Sequence, residues 1–160
     1  MTDIIKPPQN DVISEVELIY NPQVKPCNRP VASSPEDVYK LMLASWEMNK
    51  IELQEQFRIM LLDRKNGCMG VTTVSTGGIS TCLVDLKIVF AIACKAAASS
   101  IILAHNHPSG NKQPSATDKE LTEKFIAAGK ILDLPILDHL IVTKEGYTSF
   151  CEQGFMSSMK

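Results

Sequence analysis

Apolar residues along this chain fall into strand-length and helix-length blocks separated by turn signals. Residues 12–20, VISEVELIY, alternate well enough to read as a strand, after a polar stretch over 1–10 whose Pro7 and Pro8 mark a loose arm. NPQVKPCNRP, at 21–30, holds three prolines and reads as an irregular connection. A helix starts at Ser33-Ser34-Pro35-Glu36-Asp37, where a serine cap precedes Pro at the first position and acids fill the first turn. Val38, Leu41, Met42 and Trp46 continue it as an apolar stripe, best read as core packing.

Residues 56–63, QFRIMLLD, form a buried strand, and 68–75, CMGVTTVS, return from it across the turn Arg64-Lys65-Asn66-Gly67. Gly77-Gly78 breaks the second strand. Residues 84–97 read as a mostly buried helix and 99–104, SSIILA, as a short apolar strand. An amphipathic helix follows over 116–131, with Leu121, Phe125, Ala128 and Leu132 on one side. Residues 136–142 and 147–151 close the chain as a hairpin around Lys144-Glu145-Gly146. The mixture is α/β, a single mixed β-sheet flanked by helices. It divides into an N-terminal arm with one strand over 1–33 and a folded domain over 34–160.

Composition narrows the class. The 160 residues suit one domain, and 44% hydrophobic with 21% charged residues is ordinary for a soluble globular protein. A net charge of -2 gives no basic excess of the kind that nucleic-acid binders carry. The five cysteines, Cys27, Cys68, Cys82, Cys94 and Cys151, are odd in number and lack CxxC spacing, which argues against a disulfide framework or an all-cysteine metal site. Cys68 and Cys94 sit in apolar segments and read as small core residues. No signal segment opens the chain and no apolar run is long enough to cross a bilayer, so the expectation is a cytoplasmic protein without a membrane span.

The chemistry concentrates at Ala104-His105-Asn106-His107-Pro108-Ser109-Gly110, followed by Ser115-Ala116-Thr117-Asp118. Two of the chain's three histidines lie here. On an extended backbone residues two apart share a side, so His105 and His107 converge while Asn106 faces away. Pro108 favours an extended His107, Ser109-Gly110 turns the chain, and Asp118 falls in the first turn of the next helix. Two imidazoles and one carboxylate are a usual ligand set for catalytic zinc, one ion per chain, with one tetrahedral position left open. Ser115 with Asp118 also fits a capping box, Asp replacing Glu. Both readings coexist, since a carboxylate has two oxygens.

His105-x-His107, seven residues, Ser115, two residues and Asp118 match the JAMM motif. HNHPSG at 105–110, PSATD at 114–118, IMLLDRKNG at 59–67, SSIILAHNHPSG at 99–110 and LDHLIV at 137–142 extend the match, and the chain resembles the RadC family, long labelled DNA repair proteins. The resemblance covers roughly 35–155. It implies the JAMM/MPN, cytidine-deaminase-like architecture and a metalloprotease-like activity. Full-length members carry an N-terminal helix-hairpin-helix region, for which this chain is too short. The family's Gly-Thr segment and Pro-Arg-Glu helix start are replaced here by Ser75-Thr76-Gly77-Gly78 and Val84-Asp85-Leu86-Lys87.

The resemblance also implies roles. Glu55, which on the residues alone reads as an exposed charge before a strand, becomes the base that activates water, with Glu47 and Glu52 as fallbacks. Ser115 becomes the oxyanion donor. Asn106 and Ser109 read mainly as loop structure or as hydrogen-bond partners of ligands, and His139 as a structural or ligand-supporting pair with Asp138. The implied substrate is a protein or peptide, cleaved at an amide or isopeptide bond. The competing reading is a non-catalytic binding module in DNA repair or replication, where DNA association rests on the family label alone. A third, a metal-dependent nuclease, fits less well, because nucleases favour carboxylate-rich magnesium sites.

Overall fold

Seven consecutive buried residues, Gln56–Leu62, form β1, the strand that organises the sheet. The computed structural model describes residues 23–78 and 82–156, so the arm at 1–10 and the strand read at 12–20 lie outside the described residues. β1 pairs antiparallel with β2 (Cys68–Thr76) and, on its other edge, with β3 (Ser100–Asn106). β3 pairs in parallel with β4 (Ile136–Thr143), which pairs antiparallel with β5 (Gly146–Ser149). The result is one mixed sheet in the order β2-β1-β3-β4-β5.

Helices cover both faces, which is why β1, β3 and β4 read as near-continuous apolar runs. α1 (Pro35–Ala44) packs Val38 and Met42 against one face, where Trp46, Met60, Leu62, Ile102, Ala104, Leu140 and Val142 complete the core. α2 (Leu86–Lys95) and α3 (Ala116–Ile131) cover the other face, where Val89, Phe90 and Phe125 meet Phe57, Ile59, Ile101, Leu103 and Ile141. α3 is also the crossover that a parallel β3–β4 pair requires. The core of this face reaches the C-terminal end of β3, so that end opens beside the start of α3.

Local chemistry explains the ends. Ser34 caps α1 by accepting from the Asp37 N–H, and Pro35 takes the first position. The β1–β2 turn is held by the Asp63 carboxylate, which accepts from the Lys65 and Gly67 N–H groups at 2.9 Å each. Asn66 takes φ 58 there, and a Cβ on Gly67 would lie 2.7 Å from Asp63 Oδ2, so the turn demands this Asn-Gly pair. Arg29 pairs with Asp63 at 2.9 Å, and Ala32 is buried under α1, so the connection before residue 34 is packed onto the sheet.

Four readings need correction. The helix read over 84–97 spans Leu86–Lys95, because Asp85 caps it in an extended conformation and Ala97 leaves it at φ 52. It is not mostly buried: Val89, Phe90 and Ala93 are, while Ile88 is 49% exposed. Cys94 is exposed and Cys68 half-buried, so neither is a fully enclosed core residue. On α3 Phe125 is buried and Leu121 and Ala128 pack partly buried against the same core, joined by buried Thr122 and Gly129, whereas Leu132 lies past the helix end and is exposed.

Candidate metal centre

Strand alternation at the end of β3 assigns the polar residues to sides. His105 faces α3 and Asn106 faces α1. Asn106 is fully buried and fully used: its Oδ1 accepts from the Gln56 N–H at 2.7 Å, and its Nδ2 donates to the Ile51 and Gln54 carbonyls at 2.6 and 2.8 Å. It therefore pins the segment carrying Glu52 and Glu55 and touches neither histidine ring. The Glu55 backbone is clamped further, its N–H to the Gly78 carbonyl and its carbonyl to the Gly77 N–H.

Past β3 the chain turns through Gly110 at φ 76, with the Gly110 N–H on the His107 carbonyl. The turn brings the Asn111 carbonyl 2.6 Å from His107 Nδ1. A carbonyl only accepts, so this ring nitrogen carries the proton and neutral His107 presents a bare Nε2. Ser109 stays at the loop, where its Oγ accepts from the Asn111 N–H at 3.3 Å.

The two Nε2 atoms lie 3.0 Å apart. Asp118, in the first turn of α3, places Oδ1 3.3 Å from His105 Nε2 and Oδ2 3.6 Å from His107 Nε2. The capping box is present too: Ser115 Oγ and N–H both donate to Asp118 Oδ2 at 2.7 Å, and the Asp118 N–H returns to Ser115 Oγ. Burial alone would raise the Asp118 carboxyl, but the two histidine rings and the Ser115 hydroxyl outweigh it and hold it well below the usual carboxylate range. The Asp118 carboxylate in turn raises His107, against the pull of burial. Two nitrogens and an oxygen whose atoms all lie within 4.8 Å of one another fit a single metal ion.

Behind this group, His105 Nδ1 lies 2.8 Å from His139 Nε2, and His139 Nδ1 lies 2.6 Å from Thr122 Oγ1. Phe57 stacks beside His105 and Phe125, with ring centroids 6.3 and 5.8 Å away. Asp138 and His139 are not a side-chain pair: alternation along β4 separates them, and the Asp138 carboxylate instead takes the His139 and Cys151 N–H groups and the Ser149 hydroxyl. Thr122 has no place in the motif. Its signal is its position one helical turn beyond Asp118, on the same face of α3.

In front, the group opens into a cavity of about 890 Å³. Glu52 and Glu55 lie on its rim with Ser115, while Phe57, Cys82 and Leu121 supply apolar wall. Glu52 is engaged with Lys144, and Glu47 pairs with Lys50 at 2.5 Å away from the cavity, which leaves Glu55 as the rim carboxylate without an ion pair among the described residues.

A mixed sheet with His-x-His at the end of a central strand and an aspartate in the first turn of the crossover helix defines the JAB/MPN class of domain. The chain belongs to the RadC-like JAB domain family, whose model matches residues 32–155. It is 42% identical over 130 residues to a UPF0758 protein of Syntrophomonas wolfei, covering 80% of this chain and 55% of that protein. A UPF0758 protein of Rubrobacter xylanophilus is 42% identical over 128 residues, covering 80% and 55%, and one of Methanosarcina mazei 39% over 124 residues, covering 78% and 53%. The chain thus spans about half the length of the curated relatives it matches. Among the described residues, no helix is long and apolar enough to cross a membrane.

Proposed function

We propose that this domain is a zinc-dependent hydrolase of the JAMM type that cleaves peptide or isopeptide bonds. The observation that carries the reading is the convergence of His105, His107 and Asp118 at the floor of an open cavity with Glu55 on its rim. Two imidazole nitrogens with one carboxylate suit zinc better than magnesium or calcium, which favour all-oxygen sites. His105, His107 and Asp118 would hold the ion, which would supply Lewis acidity to the scissile carbonyl and the attacking water near neutral pH.

The chain's own residues do the rest. Glu55 takes a proton from the attacking water as the water oxygen bonds to the carbonyl carbon. The Ser115 hydroxyl, which donates to Asp118 Oδ2 in this structure, turns toward the developing oxyanion. Glu55 then delivers its proton to the amine as the carbon–nitrogen bond breaks. Among the described residues no lysine or arginine lines the cavity, whereas two glutamates do. A phosphodiester would meet no lysine or arginine among those lining residues, which supports the peptidase reading over the nuclease reading.

Glu55→Gln separates chemistry from metal binding. Cleavage of a peptide or isopeptide library should fall by about 10²–10⁴-fold while zinc content stays at one per chain. Cleavage at the wild-type rate would remove Glu55 from the mechanism. Salt-sensitive DNA binding without peptide cleavage would favour the binding-module reading.

A further inference from the structure

We propose that Thr122 and His139 form a proton-ordered relay that locks His105 in the tautomer whose bare Nε2 faces the metal position. Both are positioning residues, and the inference rests on the metal-site reading above.

The order follows from counting protons. Thr122 Oγ1 lies 2.6 Å from the Asp118 main-chain carbonyl, one helical turn back. That carbonyl can only accept, so the single hydroxyl proton of Thr122 is used there. The same Oγ1 lies 2.6 Å from His139 Nδ1, so it must accept from an Nδ1–H. His139 is completely buried and its two ring nitrogens meet Thr122 and His105 and no carboxylate, so the ring is neutral and has one proton. Its Nε2 is therefore bare. His105 Nδ1, 2.8 Å away, must be the donor, which leaves His105 Nε2 without a proton.

The reverse order fails on a distance. If His139 carried its proton on Nε2, Thr122 would donate to His139 Nδ1. Two oxygens, Thr122 Oγ1 and the Asp118 carbonyl, would then face each other at 2.6 Å with no proton between them. In the reverse order His105 would also carry its proton on Nε2, where it would bond Asp118 Oδ1 and occupy the position a metal needs. The relay thus starts on the Asp118 backbone and ends beside the Asp118 side chain. The helix turn that supplies one ligand also sets the tautomer of another. The outcome is two bare imidazole nitrogens 3.0 Å apart beside a carboxylate, an arrangement that a cation completes and that no proton of the relay can.

The test uses protein labelled with 15N-histidine and zinc titration against a competing chelator. In metal-free wild type, two-bond 15N–1H spectra should show His105 protonated at Nδ1 and bare at Nε2, with His139 the same. Thr122→Val removes the acceptor for His139, so His105 should shift toward the Nε2–H form and zinc affinity should fall by about 10–100-fold. Thr122→Ser should restore both. His105 found as Nε2–H in metal-free wild type overturns the relay, and this spectrum decides the matter even if Thr122→Val does not fold. A folded Thr122→Val with wild-type tautomers and wild-type zinc affinity also overturns it. Wild type that shows these tautomers but takes up no zinc refutes the metal-site reading and leaves the proton order standing.

Discussion

His105 and Asn106 are neighbours on β3, both almost completely buried, and they point to opposite faces of the sheet. On the α1 face the chain completes its own chemistry: the Asn106 amide has one acceptor and two donors engaged, all with backbone groups of residues 51–56. On the α3 face it does not. Two imidazole nitrogens lie 3.0 Å apart, each with its own oxygen of the Asp118 carboxylate at 3.3 or 3.6 Å, and the protons nearby are committed to Asn111, Ser115 and Thr122 contacts. A buried polar group matched by its own fold is structure, whereas a group of acceptors aimed at one another is an arrangement that could hold a cation.

Substitutions sharpen that contrast, beginning with the largest effect. His107→Ala or Asp118→Ala should abolish stable zinc binding, a loss beyond the roughly 100-fold that outer-shell changes cause, with the fold intact by circular dichroism. Asn106→Ala should do the opposite. It leaves the Gln56 N–H and two carbonyls without a partner and should cost about 2–4 kcal/mol in urea unfolding, while the folded fraction still holds one zinc. The contrast between the faces breaks if the two variants exchange phenotypes.

Zinc itself supplies the next effect. At a free concentration 100 times its Kd it should raise the unfolding free energy of wild type by about 2.7 kcal/mol, and leave Asp118→Ala unchanged. The smallest effect belongs to the β1–β2 turn, remote from both faces. Arg29 beside Asp63 holds its carboxyl below the ordinary range, so this pair stabilises the fold above the unfolded carboxylate value of about 3.9 and loses that contribution as pH falls through the lowered native value. The stability gap between wild type and Asp63→Asn should narrow accordingly in acid.

Local rules made much of this legible. The apolar runs at 56–62 and 100–104 are strands covered on both faces, and period-two alternation puts His105 and His107 on one side with Asn106 on the other. Ser115 and Asp118 announce the helix start and, with it, the carboxylate that joins the two histidines. What stayed hidden depends on long-range packing. The apolar run at 86–95 does not reveal that α2 lies on the sheet with only one side covered. A register shift between β3 and β4 leaves Leu137 exposed between buried Ile136 and Asp138, a detail no local pattern signals. The contact of His139 with both His105 and Thr122 joins a strand to its parallel neighbour and to the crossover helix, so it exists only once β3, α3 and β4 have packed.

The most direct measurement is anomalous diffraction at the zinc edge from crystals grown with zinc. One peak is predicted, about 2.0–2.1 Å from Nε2 of both His105 and His107 and bonded to an Asp118 carboxylate oxygen. Absence of a peak at this point, or an ion held through Nδ1 of either histidine, would contradict the account.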